Sequence, residues 1–169
     1  VKFHRQIPET YRIKSVTFSQ DPSGKYYVSI LTEYEEVMSE RTLDTNNALG
    51  LDYSSPHFYV DSQGEAADMP HFFRQAEQRL AREQRKLSKM VKGSSNCQKQ
   101  KRRIALAHEK VRNQRKDWQH KKSRELADKW DILCVEDINY KGMSGSLHLG
   151  KATLDNGFGQ FRAFLAYKL

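Results

Sequence analysis

The chain has 169 residues, and its 29 Lys and Arg against 21 Asp and Glu give a formal net charge of +8 at pH 7. This length supports one domain with a real core, or a small domain with an appendage. Its apolar runs fall well short of the ~20 residues of a membrane span, and its N-terminus lacks a signal-peptide layout. These features exclude a membrane protein and predict a cytoplasmic one.

The two cysteines have no spacing typical of a metal site. Cys97 falls in a predicted polar loop and Cys134 in an apolar strand. This usage is typical of a reducing compartment and predicts neither a disulfide framework nor a zinc site in this chain. The histidines likewise lack HxxxH or HExxH spacing, so the sequence gives little support for metal binding through histidine.

The first forty residues predict a β-hairpin. β-Branched and aromatic residues alternate with polar ones over 12–19 and 25–34, and Asp21-Pro22-Ser23-Gly24 lies between the two runs. Pro fixes φ in such a turn and Gly supplies the left-handed position. A polar linker over 44–47 follows, which places a boundary near residue 40 and divides the chain into regions 1–40 and 41–169.

The second region begins with strands. Residues 48–52 predict a buried strand, 57–61 an antiparallel partner, and 65–69 an extended continuation after a turn at 62–64. Much later, the apolar run over 131–136 predicts a second buried strand. Because a helical crossover leads to it, we expect it in the same sheet.

Residues 71–130 predict a long, basic, antiparallel helical hairpin. The first helix is expected to end near Lys92 and the second to begin near Gln98. Apolar residues recur at helical spacing and are expected to form the core: Phe73, Ala76, Leu80, Leu87, Val91, Ile104, Ala107, Val111, Trp118, Leu126 and Trp130. A Gly- and Ser-rich stretch over 139–156 predicts a mobile loop, and 158–169 a final helix.

Asp52 and Glu136 are the candidate catalytic and metal-binding residues. Each closes an apolar run, so carboxylates at the ends of neighbouring strands can share one site and hold Mg²⁺ or Mn²⁺. Either residue alone is more often a turn or cap residue. Asp137 is expected to point to the other side of its strand and to cap the turn or bond the backbone. Ser54 and Ser55 could approach a metal-bound phosphate, although turn chemistry explains them equally well.

The helical hairpin is the candidate nucleic-acid surface. Residues 71–129 hold 19 Lys and Arg against 6 Asp and Glu, whereas the rest of the chain is acidic. Such an excess favours a polyanion partner, although many charge runs are only solvated helix faces. The candidate contacts are Arg74, Arg82, Arg85, Lys86, Lys89, Lys101, Arg102, Arg103, Arg112, Arg115 and Lys116.

Five segments in series resemble the TnpB-type (OrfB) accessory transposases of bacterial insertion sequences. They are Ala48-Leu49-Gly50-Leu51-Asp52 with Phe58 to Gly64, Arg112 to Trp118, Val135 to Met143, Phe158 to Arg162, and Tyr167-Lys168. The resemblance implies an α/β, RNase H-like (RuvC-like) fold with a mixed sheet, related to type V CRISPR effectors. It also implies an Mg²⁺-dependent DNA endonuclease guided by a bound RNA, associated with the prokaryotic nucleoid.

The resemblance further implies that Asp52 and Glu136 are the first two catalytic carboxylates, and that the hairpin over 1–40 ends a wedge domain that helps to hold RNA and duplex. Two departures stand out. Ser54 occupies a position where the family often has glycine. The family also continues into a four-cysteine zinc ribbon and a third catalytic Asp beyond the position of Leu169. We therefore expect a fragment that binds metal weakly, cleaves little or nothing alone, and leaves zinc to the missing region.

Two other interpretations remain open. In the first, the hairpin binds DNA or RNA without catalysis and the two acids are structural. In the second, which ranks last, the hairpin only mediates oligomerisation.

Overall fold

The chain divides into two units, Val1–Arg41 and Thr42–Leu169. The computed structural model describes residues 6–37, 42–54, 56–138 and 155–169. The assignment of the first unit to a wedge-like domain stays a prediction.

The first unit contains the predicted β-hairpin. Strands β1 (Arg12–Gln20) and β2 (Tyr26–Glu33) pair antiparallel. In the turn, Gly24 has φ 84° and its N–H donates to the carbonyl of Asp21 at 2.8 Å. That left-handed conformation explains why glycine occupies the position.

The second unit contains a mixed sheet, so its described part is α/β as predicted. The strands are β3 (Ala48–Tyr53), β4 (Tyr59–Asp61), β5 (Ala66–Ala67) and β6 (Ile132–Val135), in the spatial order β5-β4-β3-β6. Strand β4 pairs antiparallel with both β3 and β5, whereas β6 pairs parallel with β3. The crossover prediction for β6 is therefore confirmed.

Three helices lie within the described residues: α1 (Phe72–Ser88), α2 (Ser95–Lys129) and α3 (Phe158–Ala166). Helix α1 ends at Ser88, before Lys92. Val91 lies beyond this end and is 77% exposed, so the prediction that Val91 belongs to the core was wrong. Helix α2 begins earlier than expected, because the Ser94 hydroxyl accepts from the Cys97 N–H and caps it. Cys97 is therefore buried in a helical turn and not in a polar loop.

The helical hairpin is asymmetric. At 1.5 Å per residue, α2 is about 52 Å long and α1 only about 25 Å. Hydrogen bonds link α1 and α2: the buried Gln100 side chain of α2 donates to the carbonyl and the carboxylate of Glu83 on α1, at 3.1 and 2.7 Å. This bond is the main reason that the pKa of Glu83 lies below its usual value. The C-terminal part of α2 is left to pack against the rest of the unit.

The core lies between one face of the sheet and helices α2 and α3. Phe58 is fully buried and contacts three rings, with centroid distances of 4.9 Å to Trp118, 4.9 Å to Phe161 and 5.1 Å to Phe158. Leu49, which is 2% exposed, contributes from β3 to the same cluster. The prediction that Trp118 contributes to the core is thus confirmed.

The predicted mobile loop lies outside the described residues, apart from Asp155 and Asn156, which are buried. No helix in the described part of the chain is long and apolar enough to cross a membrane.

Candidate metal and nucleic-acid site

The parallel pairing of β3 with β6 brings the two predicted carboxylates together. Leu51 is paired with Val135, and one further residue along each strand places Asp52 beside Glu136. Neighbouring strands are about 4.8 Å apart, and paired residues point to the same face of a sheet. Both side chains are exposed. The two carboxylates therefore lie on one open face, at adjacent positions.

Asn47 fixes the alignment of these strands at their other end. Its side-chain amide donates to the carbonyl of Lys129 at 3.2 Å and to the carboxylate of Asp131 at 3.1 Å. Its own carbonyl accepts from the N–H groups of Asp131 and Ile132. Because Asn47 directly precedes β3 and is bonded to Asp131 and Ile132 at the start of β6, the two strands reach Asp52 and Glu136 at the same level.

A shallow depression of about 600 Å³ contains the pair. The lining also includes Asp61, which sequence reasoning had not singled out. Asp61 Oδ1 accepts from the N–H groups of Gln63 and Glu65, at 2.9 Å each, so this oxygen stabilises the turn after β4. Among the described residues, no group of three or more His, Cys, Asp or Glu side chains could hold a metal ion.

Gly50 and Ser62 form the next part of the same surface. The Gly50 N–H donates to the Ser62 hydroxyl at 3.1 Å, and the Ser62 N–H donates to the Gly50 carbonyl at 2.9 Å. Both residues line the depression. Ser62 was predicted only as a turn residue, although counting back from the Leu51–Asp61 pair already places it opposite Gly50.

Cys134 also lines this depression and is exposed. The apolar run had predicted a buried strand, and this was wrong for Cys134. Only Leu133 and Val135 pack against the core, because successive side chains of a strand point to opposite faces of the sheet.

The opposite face of the sheet is buried in the core, and we call it the closed face. Tyr53 and Tyr59 lie on it, behind the site. Burial raises the pKa of the Tyr59 hydroxyl well above its usual value, and the nearby carboxylates of Glu125 and Asp61 add to the effect. Tyr59 therefore stays protonated and neutral. The Tyr53 hydroxyl accepts from the side-chain amide of the fully buried Asn156 at 3.2 Å.

Asp155 and Asn156 are structural residues that sequence reasoning missed. Asp155 Oδ1 accepts from the Phe73 N–H at 3.1 Å, so it caps α1, whose own N-cap side chain does not. The Gln119 side chain donates to the carbonyl of Asn156 at 2.7 Å. An Asp-Asn-Gly sequence suggests a turn, but nothing in it reveals partners that lie 37 to 103 residues away in the chain.

One further prediction near the site needs correction, and the suggestion for Ser54 and Ser55 stays a prediction. Asp137 was expected to cap a turn or bond the backbone, but its carboxylate forms an ion pair with Arg162 at 2.9 Å. The strand ends at Val135, so the side chain reaches α3 instead. Ser54 is not part of the depression lining, and Ser55 lies outside the described residues.

Ten of the eleven predicted nucleic-acid contacts are exposed: Arg74, Arg82, Arg85, Lys86, Lys89, Lys101, Arg102, Arg103, Arg112 and Lys116. Arg115 is partly buried, and its guanidinium donates to the carbonyl of Asp155 at 3.2 Å. Arg115 thus helps to hold the segment before α3 in place.

Comparison with known proteins identifies the family. A family model described as a probable transposase, OrfB of IS605, matches residues 29–147. A "Putative RNA-guided DNA endonuclease" of Streptomyces pristinaespiralis is 30% identical over 168 residues, which cover 99% of this chain and 41% of the relative. The "Putative RNA-guided DNA endonuclease InsQ" of Escherichia coli K12 is 33% identical over 171 residues, which cover 92% and 42%.

The chain thus spans about two fifths of the length of these curated relatives. The matched region contains β3, both long helices and β6, together with Asp52 and Glu136. The chain belongs to the OrfB (TnpB-type) family of insertion-sequence transposases.

Proposed function

We propose that this chain provides a metal-binding carboxylate pair and a nucleic-acid surface to an RNA-guided, Mg²⁺-dependent DNA endonuclease of RNase H-like fold. The observation that carries the proposal is the β3–β6 register, which leads to Asp52 and Glu136 side by side on an open face. The names of the relatives support the reaction and the partners, DNA and a guide RNA.

The two carboxylates suit Mg²⁺ or Mn²⁺ in chemistry and exposure. Mg²⁺ prefers hard oxygen ligands, and it is often held by one or two carboxylates together with water and substrate phosphates. A bound ion of this kind polarises a phosphodiester and lowers the pKa of a bound water. The residues of this chain hold the ion and keep the face open to a substrate. Two carboxylates alone should bind weakly and support little or no cleavage.

The helical hairpin is the second part of the proposal. Exposed bases on α1 and α2 can neutralise backbone phosphates and release their counterions, which gives an affinity that falls steeply with salt. Lys101, Arg102 and Arg103 are consecutive and all exposed. Their charges are the most concentrated on the hairpin, so we expect them to contribute most to binding.

The metal part is tested by Mg²⁺ titration of the chain, monitored by calorimetry, with Asp52→Asn and Glu136→Gln. Each variant should lose most of the Mg²⁺ response, because it removes one of two charged ligands. Asp137→Asn is the matched control, since Asp137 is a neighbouring carboxylate whose partner is Arg162. If all three variants responded equally to Mg²⁺, the claim that Asp52 and Glu136 bind the ion would be refuted.

The nucleic-acid part is tested by the salt dependence of oligonucleotide binding. Replacing Lys101, Arg102 and Arg103 by Gln should reduce the slope of log K against log salt by about 2 to 3. Lys121→Gln is the control, because Lys121 is an exposed base on the same helix that is paired with Asp117 at 2.7 Å. Salt-dependent binding without any Mg²⁺ response would instead favour a non-catalytic binding module.

A further inference from the structure

The sheet supports the two carboxylates of the candidate site unequally. Asp52 lies inside β3, where it is paired with Val60 on β4. Glu136 lies one residue beyond the end of β6, and the last pair of the ladder before it joins Leu51 to Val135. The ladder therefore fixes the direction of the Asp52 side chain, but the direction of Glu136 needs a further support.

Helix α3 holds the chain directly after β6. Arg162 Nη1 donates to Asp137 Oδ1 at 2.9 Å, and the partly buried Ile138 packs against the core. The backbone of Arg162 is itself well anchored, because the preceding Phe161 is fully buried in the core cluster. A guanidinium on an anchored helix thus binds the residue that immediately follows Glu136.

This bond sets the side to which Glu136 points. Successive side chains of an extended chain point to opposite sides. Helix α3 packs on the closed face of the sheet, so the bond from Arg162 draws the Asp137 side chain toward that face and leaves Glu136 on the open one. Glu136 lines the depression on the open face together with Asp52.

We propose that Arg162 is a positioning residue that acts through Asp137 to hold Glu136 beside Asp52. This inference rests on the proposed function and adds to it an outer contact of the metal ligands. Contacts of this kind orient the side chains that bind a metal, and their loss weakens metal affinity. Asn47 aligns the two strands where they begin, and Arg162 orients the chain where β6 ends.

The exposure of the ion pair limits the size of the effect. The Asp137 side chain is 93% exposed and that of Arg162 is 35% exposed, so water screens their attraction. An ion pair of this kind changes an equilibrium constant by at most about fivefold. We therefore expect a modest change in Mg²⁺ affinity and almost no change in melting temperature.

The sign of the change in Mg²⁺ affinity separates positioning from simple charge. Arg162→Met keeps the apolar stem but removes the positive charge, and the loss of a positive charge near the site should by itself favour a bound cation. Positioning predicts the opposite, a Kd for Mg²⁺ that rises about threefold. Arg162→Lys keeps a charged donor and should recover most of the affinity. A Kd that is unchanged or lower in Arg162→Met would overturn the proposal.

The Asp137 side of the pair has its own matched variants. Asp137→Asn and Asp137→Ala both remove the negative charge, but only the Asn side chain keeps an oxygen that accepts from Arg162. Asp137→Ala should therefore bind Mg²⁺ about threefold more weakly than Asp137→Asn. Equal affinity in the two variants would contradict a role for the bond. Arg124→Gln is the control for loss of an exposed ion pair elsewhere, since Arg124 is paired with Asp128 on α2.

Titration of the full ¹⁵N-labelled chain with Mg²⁺, followed by its amide signals, measures these affinities. Without metal, the heteronuclear NOE of the Glu136 and Asp137 amides should fall in Arg162→Met and recover in Arg162→Lys. If Asp52→Asn abolishes the Mg²⁺ response while Arg162→Met changes neither the Kd nor the NOE, only the positioning role is refuted. If the unaltered chain does not respond to Mg²⁺, the proposed function is refuted, and the NOE alone decides whether Arg162 orders Glu136.

Discussion

The two faces of the four-stranded sheet differ in what they contribute. Along β3, the side chains of Leu49, Leu51 and Tyr53 are buried, whereas Asp52 between them is exposed. The closed face holds a cluster of aromatic rings, and the open face holds carboxylates beside a glycine. Stability and the proposed chemistry therefore depend on alternate residues of the same strand, and substitutions can separate them.

The largest expected effect is on the closed face. Phe58→Ala removes a fully buried ring that contacts three others, and should lower the free energy of unfolding by roughly 3–5 kcal/mol. Val60→Ala changes a half-buried residue of β4 that is paired with Asp52 on the open face, and should cost less than about 1.5 kcal/mol. Urea unfolding followed by circular dichroism measures both. Equal losses would mean that the two faces do not differ as described.

Asn156→Ala tests the buried polar contact behind β3. Loss of the amide leaves the Tyr53 hydroxyl without this donor, so the expected cost is about 1–3 kcal/mol. A double-mutant cycle with Tyr53→Phe isolates the contact, because removal of both groups should cost less than the sum of the single changes. Additive losses would show that the two side chains do not interact.

Asn47→Ala tests how the strands of the sheet are aligned, since Asn47 aligns the start of β3 with that of β6. We expect a loss of about 1 kcal/mol in unfolding free energy from the two side-chain hydrogen bonds, together with a weaker Mg²⁺ response. Asn46→Ala is a matched control, because its side chain takes no part in this alignment. An unchanged Mg²⁺ response in Asn47→Ala would show that the alignment does not depend on this residue.

The smallest expected effect lies away from both faces, at His120 on α2, which stacks on Phe164 with a centroid distance of 3.9 Å. Burial lowers the pKa of His120, and the charges of Lys168 and Lys116 lower it further. The unfolded chain therefore binds a proton more readily, and stability should fall as the pH drops below about 6.5. We expect less than about 0.5 kcal/mol, since solvent screens a partly exposed ring. His120→Phe should remove this part of the pH dependence in thermal melts at pH 5 to 8, and an identical profile would exclude His120 as its source.

The sequence predicted most of the elements, because their signals are local. Alternation in β1 and β2, the apolar runs of β3 and β6, and helical periodicity each act over a few residues. The presence of β6 in the same sheet also followed, since a long helical crossover constrains the topology. The placement of Asp52 beside Glu136 needed only these steps and the rule that strands end at the surface.

The remaining features depend on contacts between distant segments. Asp155 caps α1 from 82 residues away, and the Asn47 amide reaches Asp131 from 84. The exposure of Cys134 depends on what packs against its face of the sheet, and an apolar run alone does not reveal this. The antiparallel register of β3 and β4 places Ser62 opposite Gly50. Ser62 was assigned only to the turn, because its residue type is typical of a turn.

The most direct test of the carboxylate pair is paramagnetic broadening of backbone amide signals by Mn²⁺. If Asp52 and Glu136 share an ion, substoichiometric Mn²⁺ should selectively broaden the amides of residues 50–53 and 134–137, and Mg²⁺ should restore them in competition. Asp52→Asn combined with Glu136→Gln should abolish this local broadening. Uniform broadening over the chain, or the same pattern in the double variant, would contradict the metal site.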